Sequence, residues 1–409
     1  MLVDVAEWRL DILQEHLEEL EALCNRRLGA PRSPALEAVG LKRCDARIEA
    51  HTDALLLAEE HAWPLVARAL TSDEPAAAAA AAMVIASAAD AERERRLVEV
   101  FSTAGAETRA ALRAVLELRA GPGLRAALRA LTELAAPVEA SVWMVAAAHG
   151  EKTVPPRRAH WIDDESSEVR RLFWRAEARV AADAAPHQRG GLSQSDYLRA
   201  FADPDREVRR SALEAAARTS QPWLLERLRS TATVPAARAI DEHLLLAALG
   251  GPNDTSSLLA IGRSQEIGWY RSSVLGTCGR LPAVEELLRI MREGPAVEAA
   301  LAGLAFFRIT GVDVQRPGRI PLIPPDAEPD ELDEEIKSCD VERAEHAWHA
   351  LRGRMGRARW VRGVDAESLA VNQLPLTLDL ETRWNLQLRA AFERSSASLV
   401  FDAERFPFE

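Results

Sequence analysis

The sequence predicts an all-α protein: an α-solenoid of stacked helical hairpins, with an N-terminal helical pair and a small, mixed α/β C-terminal segment. Three observations carry this. The 409 residues are 48% hydrophobic but only 5% aromatic, and alanine and leucine supply most of the apolar mass, which favours helices over a β-sandwich. Apolar residues recur at three- and four-residue spacings, and helix-start signals recur every 27 to 39 residues from Arg170 onward, as in repeat arrays. No stretch approaches the roughly 20 uncharged apolar residues of a membrane span.

Residues 1–70 form the N-terminal helical pair. Leu10, Leu13, Leu17, Leu20 and Cys24 alternate spacings of three and four, a stripe that docks on a neighbour and is too short for a coiled coil. Pro31 and Pro34 break the chain, and a second long helix is expected from Leu41 to Leu70 around Trp63-Pro64. Residues 71–313 form the solenoid. Ser72-Asp73-Glu74-Pro75 reads as a helix start. The alanines 76–82 run on into Met83, Val84 and Ile85, so they read as a packed helix and not as low complexity. Further helices are expected at 91–102, 105–119, 121–135 and 137–149.

The clearest repeat is Asp203-Pro204-Asp205-Arg206-Glu207-Val208-Arg209-Arg210-Ser211-Ala212-Leu213. Asp203 is expected to cap it and Pro204 to occupy its first turn, with Val208, Ala212, Ala215 and Ala216 on one face. Thr219 to Pro222 turns the chain into a partner helix beginning at Trp223. An echo lies 39 residues earlier at Asp163 to Arg171, and weaker echoes start at Val234, Trp269 and Pro295. Val284, Leu287, Leu288 and Met291 give another amphipathic helix. Residues 314–340, proline-rich and acidic, read as a linker. In the C-terminal segment 341–409, Arg357 to Gly363 and Ser398 to Phe401 read as short strands, and Glu381 to Arg394 as a helix.

The pattern Asp-Pro-Asp-x-x-Val-Arg-x-x-Ala-Leu at 203–213 resembles HEAT-like repeats of the short kind also seen in phycobilisome lyases. That resemblance implies an architecture, not a bilin lyase activity. Three further segments together resemble an uncharacterised proteobacterial family of HEAT-like proteins, common in myxobacteria and present in pseudomonads: Leu41 to Trp63 with Arg47-Ile48-Glu49-Ala50-His51, Ala302 to Asp313, and Trp384 to Phe406. Its members are often encoded beside type VI secretion spike and effector genes, which implies an effector-binding adaptor or an immunity protein. The chain departs from the family pattern at Val154-Pro155-Pro156-Arg157-Arg158 and in its alanine-heavy early repeats.

The net charge of −12 and pI near 5.4 argue against wholesale nucleic-acid binding. The acidic start Met1 to Glu7 is unlike a secretory signal, and a cytoplasmic chain is expected. Cys24, Cys44, Cys278 and Cys339 show no Cys-x-x-Cys spacing, so reduced, mostly buried thiols are expected and no zinc knuckle.

Arg170, Arg209, Arg238 and Arg271 recur at equivalent repeat positions. They either bond to acids such as Asp164, Asp203 or Asp205 in neighbouring turns or line a cationic inner stripe that meets an anionic partner. Trp223, Trp269 and Tyr270 lie near repeat turns and are either exposed anchors or core. His346 and His349, beside Glu342 and Glu345, lack the third ligand a metal site needs, so a solvated helix is the expectation. The acidic run Asp330 to Glu335 is most simply neutralised by Arg352, Arg354, Arg357, Arg359 and Arg362. No catalytic triad, phosphate loop or Gly-x-Gly-x-x-Gly motif is present. The expectation is a non-enzymatic protein-binding scaffold without cofactor, its partner a secreted effector or toxin. The alternative is a HEAT-fold DNA-binding or DNA-repair, glycosylase-like enzyme.

Overall fold

The computed structural model describes residues 5–151, 155, 158–180, 192–322, 334–356, 358–393 and 401–408. The chain is all-α apart from two small two-stranded sheets among these residues. It divides into two units. The first comprises Met1–Thr219, Asp379–Trp384 and Ala397–Glu409, and the second Ser220–Leu378 and Asn385–Ser396.

The first unit opens with α1 (Val5–Gly29) and α2 (Ala38–Leu57), which pack together. Leu13, Leu17, Leu20 and Cys24 bury the expected stripe, whereas Leu10 stays 44% exposed. The long helix expected to Leu70 is broken. A single 3-10 turn at Glu59–His61 separates α2 from α3 (Trp63–Leu70). Pro64 explains the break: it lacks an N–H and fits only the first turn of a new helix.

Next come α4 (Pro75–Ala88), α5 (Ala91–Thr103), α6 (Ala106–Arg119), α7 (Pro122–Arg129) and α8 (Ala136–Ala148). The polyalanine tract is core, with Ala77 to Ala82 all buried. Methyl-sized side chains let α4 pack against α1, α2, α3, α5 and α6. Every second helix then stacks on the next: α4 on α6, α6 on α8, α8 on α10 (Ser167–Val180) and α10 on α12 (Arg206–Arg218). That is the two-layer signature of stacked hairpins. α9 (Arg158–Trp161) and α11 (Gln194–Phe201) complete the set. An aromatic seam joins α8 to α11, with ring centroids 5.7 Å apart for Trp143–Trp161, 5.1 Å for Phe173–Trp174 and 4.8 Å for Trp174–Tyr197.

The α12 cap corrects one expectation. Asp205, not Asp203, accepts the N–H groups of Glu207 and Val208, at 2.8 and 3.2 Å, and Pro204 precedes the helix. Asp203 is occupied elsewhere: its carboxylate accepts the Asp205 N–H and pairs with Arg170. The expected face of Val208, Ala212, Ala215 and Ala216 is fully buried.

The second unit repeats the two-layer scheme with α13 (Leu224–Thr231), α14 (Ile240–Leu249), α15 (Thr255–Arg263), α16 (Tyr270–Cys278), α17 (Leu281–Glu293) and α18 (Ala296–Thr310). Here α14 packs on α16 and α16 on α18, while α15 packs on α17. The stretch 314–340, expected as a linker, holds two strands among its described residues. β1 (Gln315–Leu322) pairs antiparallel with β2 (Glu334–Cys339), Ile320 opposite Ile336, and the pair packs on α18. Pro317 and Pro321 do not prevent this, because in a two-stranded sheet both strands are edges, where proline is tolerated.

Then follow α19 (Val341–Leu351), β3 (Trp360–Val361) paired with β4 (Val364–Asp365), and α20 (Leu380–Phe392). The expected strand at 357–363 shrinks to β3. The expected strand at 398–401 lies outside the described residues except for Phe401, which is in neither strand nor helix. Residues 330–333 of the acidic run and Arg357 also lie outside them.

Gly279 ends α16 at φ +63°, and its carbonyl accepts the Trp360 N–H at 2.7 Å. A Cβ at this position would meet the Trp360 carbonyl oxygen at 2.7 Å. Gly279→Ala is therefore expected to cost about 2–4 kcal/mol, from left-handed backbone strain plus a clash with main chain that cannot swing aside. Urea denaturation followed by tryptophan fluorescence measures it.

Candidate functional site

The arginines expected at equivalent repeat positions resolve into a recurring clamp. Four helices carry an arginine in their second turn that reaches back to the loop before the helix. Arg109 donates to the Ala104 carbonyl at 3.0 Å and Arg125 to that of Ala120 at 2.7 Å. Arg170 donates to Asp164 and Glu165 at 2.6 and 3.0 Å, and Arg209 to Asp203 and Pro204 at 2.7 and 3.0 Å. Each guanidinium thereby satisfies carbonyls that the turn leaves over. Three of the four also reach an acid from another turn: Arg109 to Glu168 at 3.0 Å, Arg125 to Glu151 at 2.9 Å, and Arg170 to both oxygens of Asp203 at 2.7 and 3.0 Å. Arg170 thus bonds an acid of a neighbouring turn, the first of the two alternatives, whereas Arg209 reaches the main-chain carbonyls of its own loop.

The remaining expected residues are in the second unit. Arg271 is buried, 3% exposed, and ion-paired with Glu298; burial withdraws it from any partner surface. Arg238 is exposed in a short 3-10 turn before α14, and no ion pair forms there among the described residues. Trp269 is half-buried, whereas Tyr270 is 39% exposed. Trp223 is half-buried at the start of α13. Short connections make α13–α14 and α15–α16 hairpins, and α14 packs on α16, so both hairpin loops fall along one edge of the stack. That edge gathers Arg238, Trp269 and Tyr270 with Val234, which is 71% exposed. Trp223 belongs to the opposite edge.

His346 and His349 are exposed on α19 with Glu342 and Glu345, and Glu345 pairs with Arg292 at 2.6 Å. No group of three or more potential metal ligands occurs among the described residues. Cys24, Cys44 and Cys278 are buried and Cys339 half-buried, all as free thiols. Burial pushes the Cys24 thiol up to about 12.

Sequence reasoning missed a cavity of about 400 Å³ in the first unit, lined by seven arginines and four glutamates. Arg171, Arg175 and Arg179 project from one face of α10 at i, i+4 and i+8, and Arg210, Glu214 and Arg218 do so from α12. These triplets are 39 residues apart, the same offset as the repeat echo, so the signal was present in the sequence. Arg32 from the α1–α2 turn, Glu117 from α6, and Trp384 and Glu404 from the C-terminal residues complete the wall.

Its carboxylates are shared. Glu117 serves Arg113, Arg175 at 3.0 Å and Arg179 at 3.4 Å. Glu404 serves Arg179 at 2.8 Å and Arg218 at 3.1 Å, and Glu214 serves Arg32 and, at 2.8 Å, Arg218. Burial alone would raise the pKa of Glu404, but Arg179 and Arg218 overcome it and hold the group far below the usual carboxylate range. Arg175, Arg113 and Arg179 likewise outweigh burial at Glu117 and lower it. Burial, then Arg210 and Arg218, pull Arg32 well below the usual arginine value. The Arg32 guanidinium stacks 4.3 Å from the Trp384 ring centroid, and that of Arg218 lies 3.8 Å from that of Phe401.

No family model matches the chain, and no curated protein does. Among solved structures it is similar to YIBA_ECOLI, at 15% identity and a TM-score of 0.36, over 60% of this chain and 90% of that one. It is also similar to an engineered protein at 15% identity and a TM-score of 0.30, over 92% of this chain and 99% of that one. No helix among the described residues is long and apolar enough to cross a membrane.

Proposed function

We propose that this chain is a protein-binding helical-repeat scaffold whose contact surface is the edge of the second unit carrying Val234, Arg238, Trp269 and Tyr270. The observation that carries the reading is the pairing of large exposed apolar side chains with an arginine that makes no ion pair among the described residues. Aromatic residues and arginine dominate protein hot spots, whereas the other repeat arginines named above are committed to internal bonds. The resemblance to proteins encoded beside type VI secretion genes supports the finer reading, an adaptor for a secreted effector or an immunity protein against one.

Co-expression with the products of the flanking genes is expected to recover a stoichiometric complex. Val234→Asp together with Tyr270→Ala, two changes at exposed positions, should weaken it by about thirtyfold or more while leaving thermal unfolding unchanged. A complex indifferent to both substitutions, or no complex with any flanking product, rejects the proposal. An adaptor is further expected to be required for effector loading, and an immunity protein to rescue cells from its toxin.

A further inference from the structure

The arginine-lined cavity of the first unit carries more positive than negative charge among the described residues. Five guanidiniums, those of Arg32, Arg113, Arg175, Arg179 and Arg218, share three carboxylates, those of Glu117, Glu214 and Glu404. Five minus three leaves this network two positive charges in surplus, and Arg171 and Arg210 against Glu207 keep the rest of the wall cationic. Arg113 and Arg218 are buried, where uncompensated charge is costly, while Arg32 and Arg175 stay part-exposed. Arg27 does not add to it, because Asp45 pairs with it at 2.7 Å behind the wall.

A second observation points the same way. The Nε of Arg171, also on the cavity wall, is buried and has no hydrogen-bond acceptor among the described residues. A buried cationic donor without a partner is uncommon in native proteins. The space, about 400 Å³, lies in the range of small-molecule sites. One aromatic face, that of Trp384, lines it.

From these observations we infer that the cavity is a binding site for a phosphoryl dianion, carried as a phosphate monoester. Two negative charges cancel the surplus. A tetrahedral group of acceptor oxygens can engage guanidiniums arriving from α10, α12 and the α1–α2 turn at once, each by paired N–H bonds. The two sources of such a group, a small phosphorylated molecule and a phosphorylated protein side chain, share this chemistry. The site is independent of the partner edge proposed for the second unit.

Isothermal titration of the full chain with inorganic phosphate, a nucleoside monophosphate and a phosphoserine peptide tests the assignment. Saturable binding of at least one at millimolar concentration or below is expected. Preference for the nucleotide assigns a small-molecule source, and preference for the peptide a protein-borne one; either supports the site. Arg171→Gln and Arg175→Gln should each weaken binding at least about tenfold. Glu214→Gln removes a competing carboxylate and should tighten binding, a gain that misfolding cannot produce. The inference is overturned if none of the three probes binds, or if succinate binds as tightly as phosphate. It also fails if Glu214→Gln leaves affinity unchanged, or if duplex DNA binds in a salt-sensitive manner while phosphate does not.

Discussion

Glu404→Gln is expected to destabilise the first unit by about 3–5 kcal/mol, as removal of one member of a buried ion pair does. Its carboxylate is only 9% exposed, is the nearest anion to Arg179 at 2.8 Å and a second one to Arg218 at 3.1 Å, and it also accepts the Phe401 N–H at 3.1 Å. Glutamine keeps the shape but removes one of the carboxylates that each guanidinium shares, leaving Glu117 to Arg179 at 3.4 Å and Glu214 to Arg218 at 2.8 Å. The pH dependence follows from the same geometry. Glu404 and Glu117 both titrate below their ordinary value in the folded chain. Their contribution is therefore complete above the unfolded glutamate value of about 4.3 and is lost as pH falls toward their folded values. Stability of the wild-type unit should decline on acidification below about pH 4, and Glu404→Gln should flatten that decline. Urea titrations over a pH series measure both, and a variant as acid-sensitive as the parent would show that the carboxylate is not the group being titrated.

Arg27→Met should have an effect of similar size, about 3–5 kcal/mol. Arg27 is 1% exposed, pairs with the equally buried Asp45, and donates to the Ala403 carbonyl at 3.1 Å and to that of Arg405. Asp45 in turn accepts the Phe408 N–H at 2.8 Å. One buried pair thus ties α1 and α2 to the C-terminal residues 403–408. Methionine would leave Asp45 buried and carbonyls unsatisfied, loosening that tie and exposing it to proteolysis. The double variant with Asp45→Asn should recover part of the loss, since the stranded charge disappears. A double variant as unstable as Arg27→Met alone would place the cost in lost packing.

The helical architecture was legible because it depends on local periodicity. The three-and-four spacing of Leu13, Leu17, Leu20 and Cys24 marks a buried face whatever that face meets, and the polyalanine tract continues into residues that only a packed helix would accommodate. Capping was read less well. Asp203 and Asp205 are both competent caps in sequence, and the choice between them was decided by Arg170, which claims Asp203 from 33 residues away in the chain. The linker reading failed for a similar reason: proline excludes a central strand but not an edge, and edge status is a property of the sheet.

The site was partly written in the sequence and overlooked. Arg171, Arg175 and Arg179 stand at helical spacing and recur as Arg210, Glu214 and Arg218 one repeat later, so a charged face shared by adjacent repeats was readable. That it turns inward, with Arg32 and Glu404 closing it, was not. For Arg271 the two alternatives had equal standing in sequence, because an arginine after two aromatic residues looks the same whether it reaches solvent or pairs with the half-buried Glu298.

By itself the sequence determined that the chain would be helical, where most helices would begin, and that hairpins would repeat at roughly 30-residue intervals, since these follow from spacing, proline placement and composition along a short stretch. Only the tertiary structure decided which charges neutralise one another. Ion pairing depends on distance and burial between residues far apart in the chain, and three carboxylates among five guanidiniums become a surplus only once folding has brought them to one cavity.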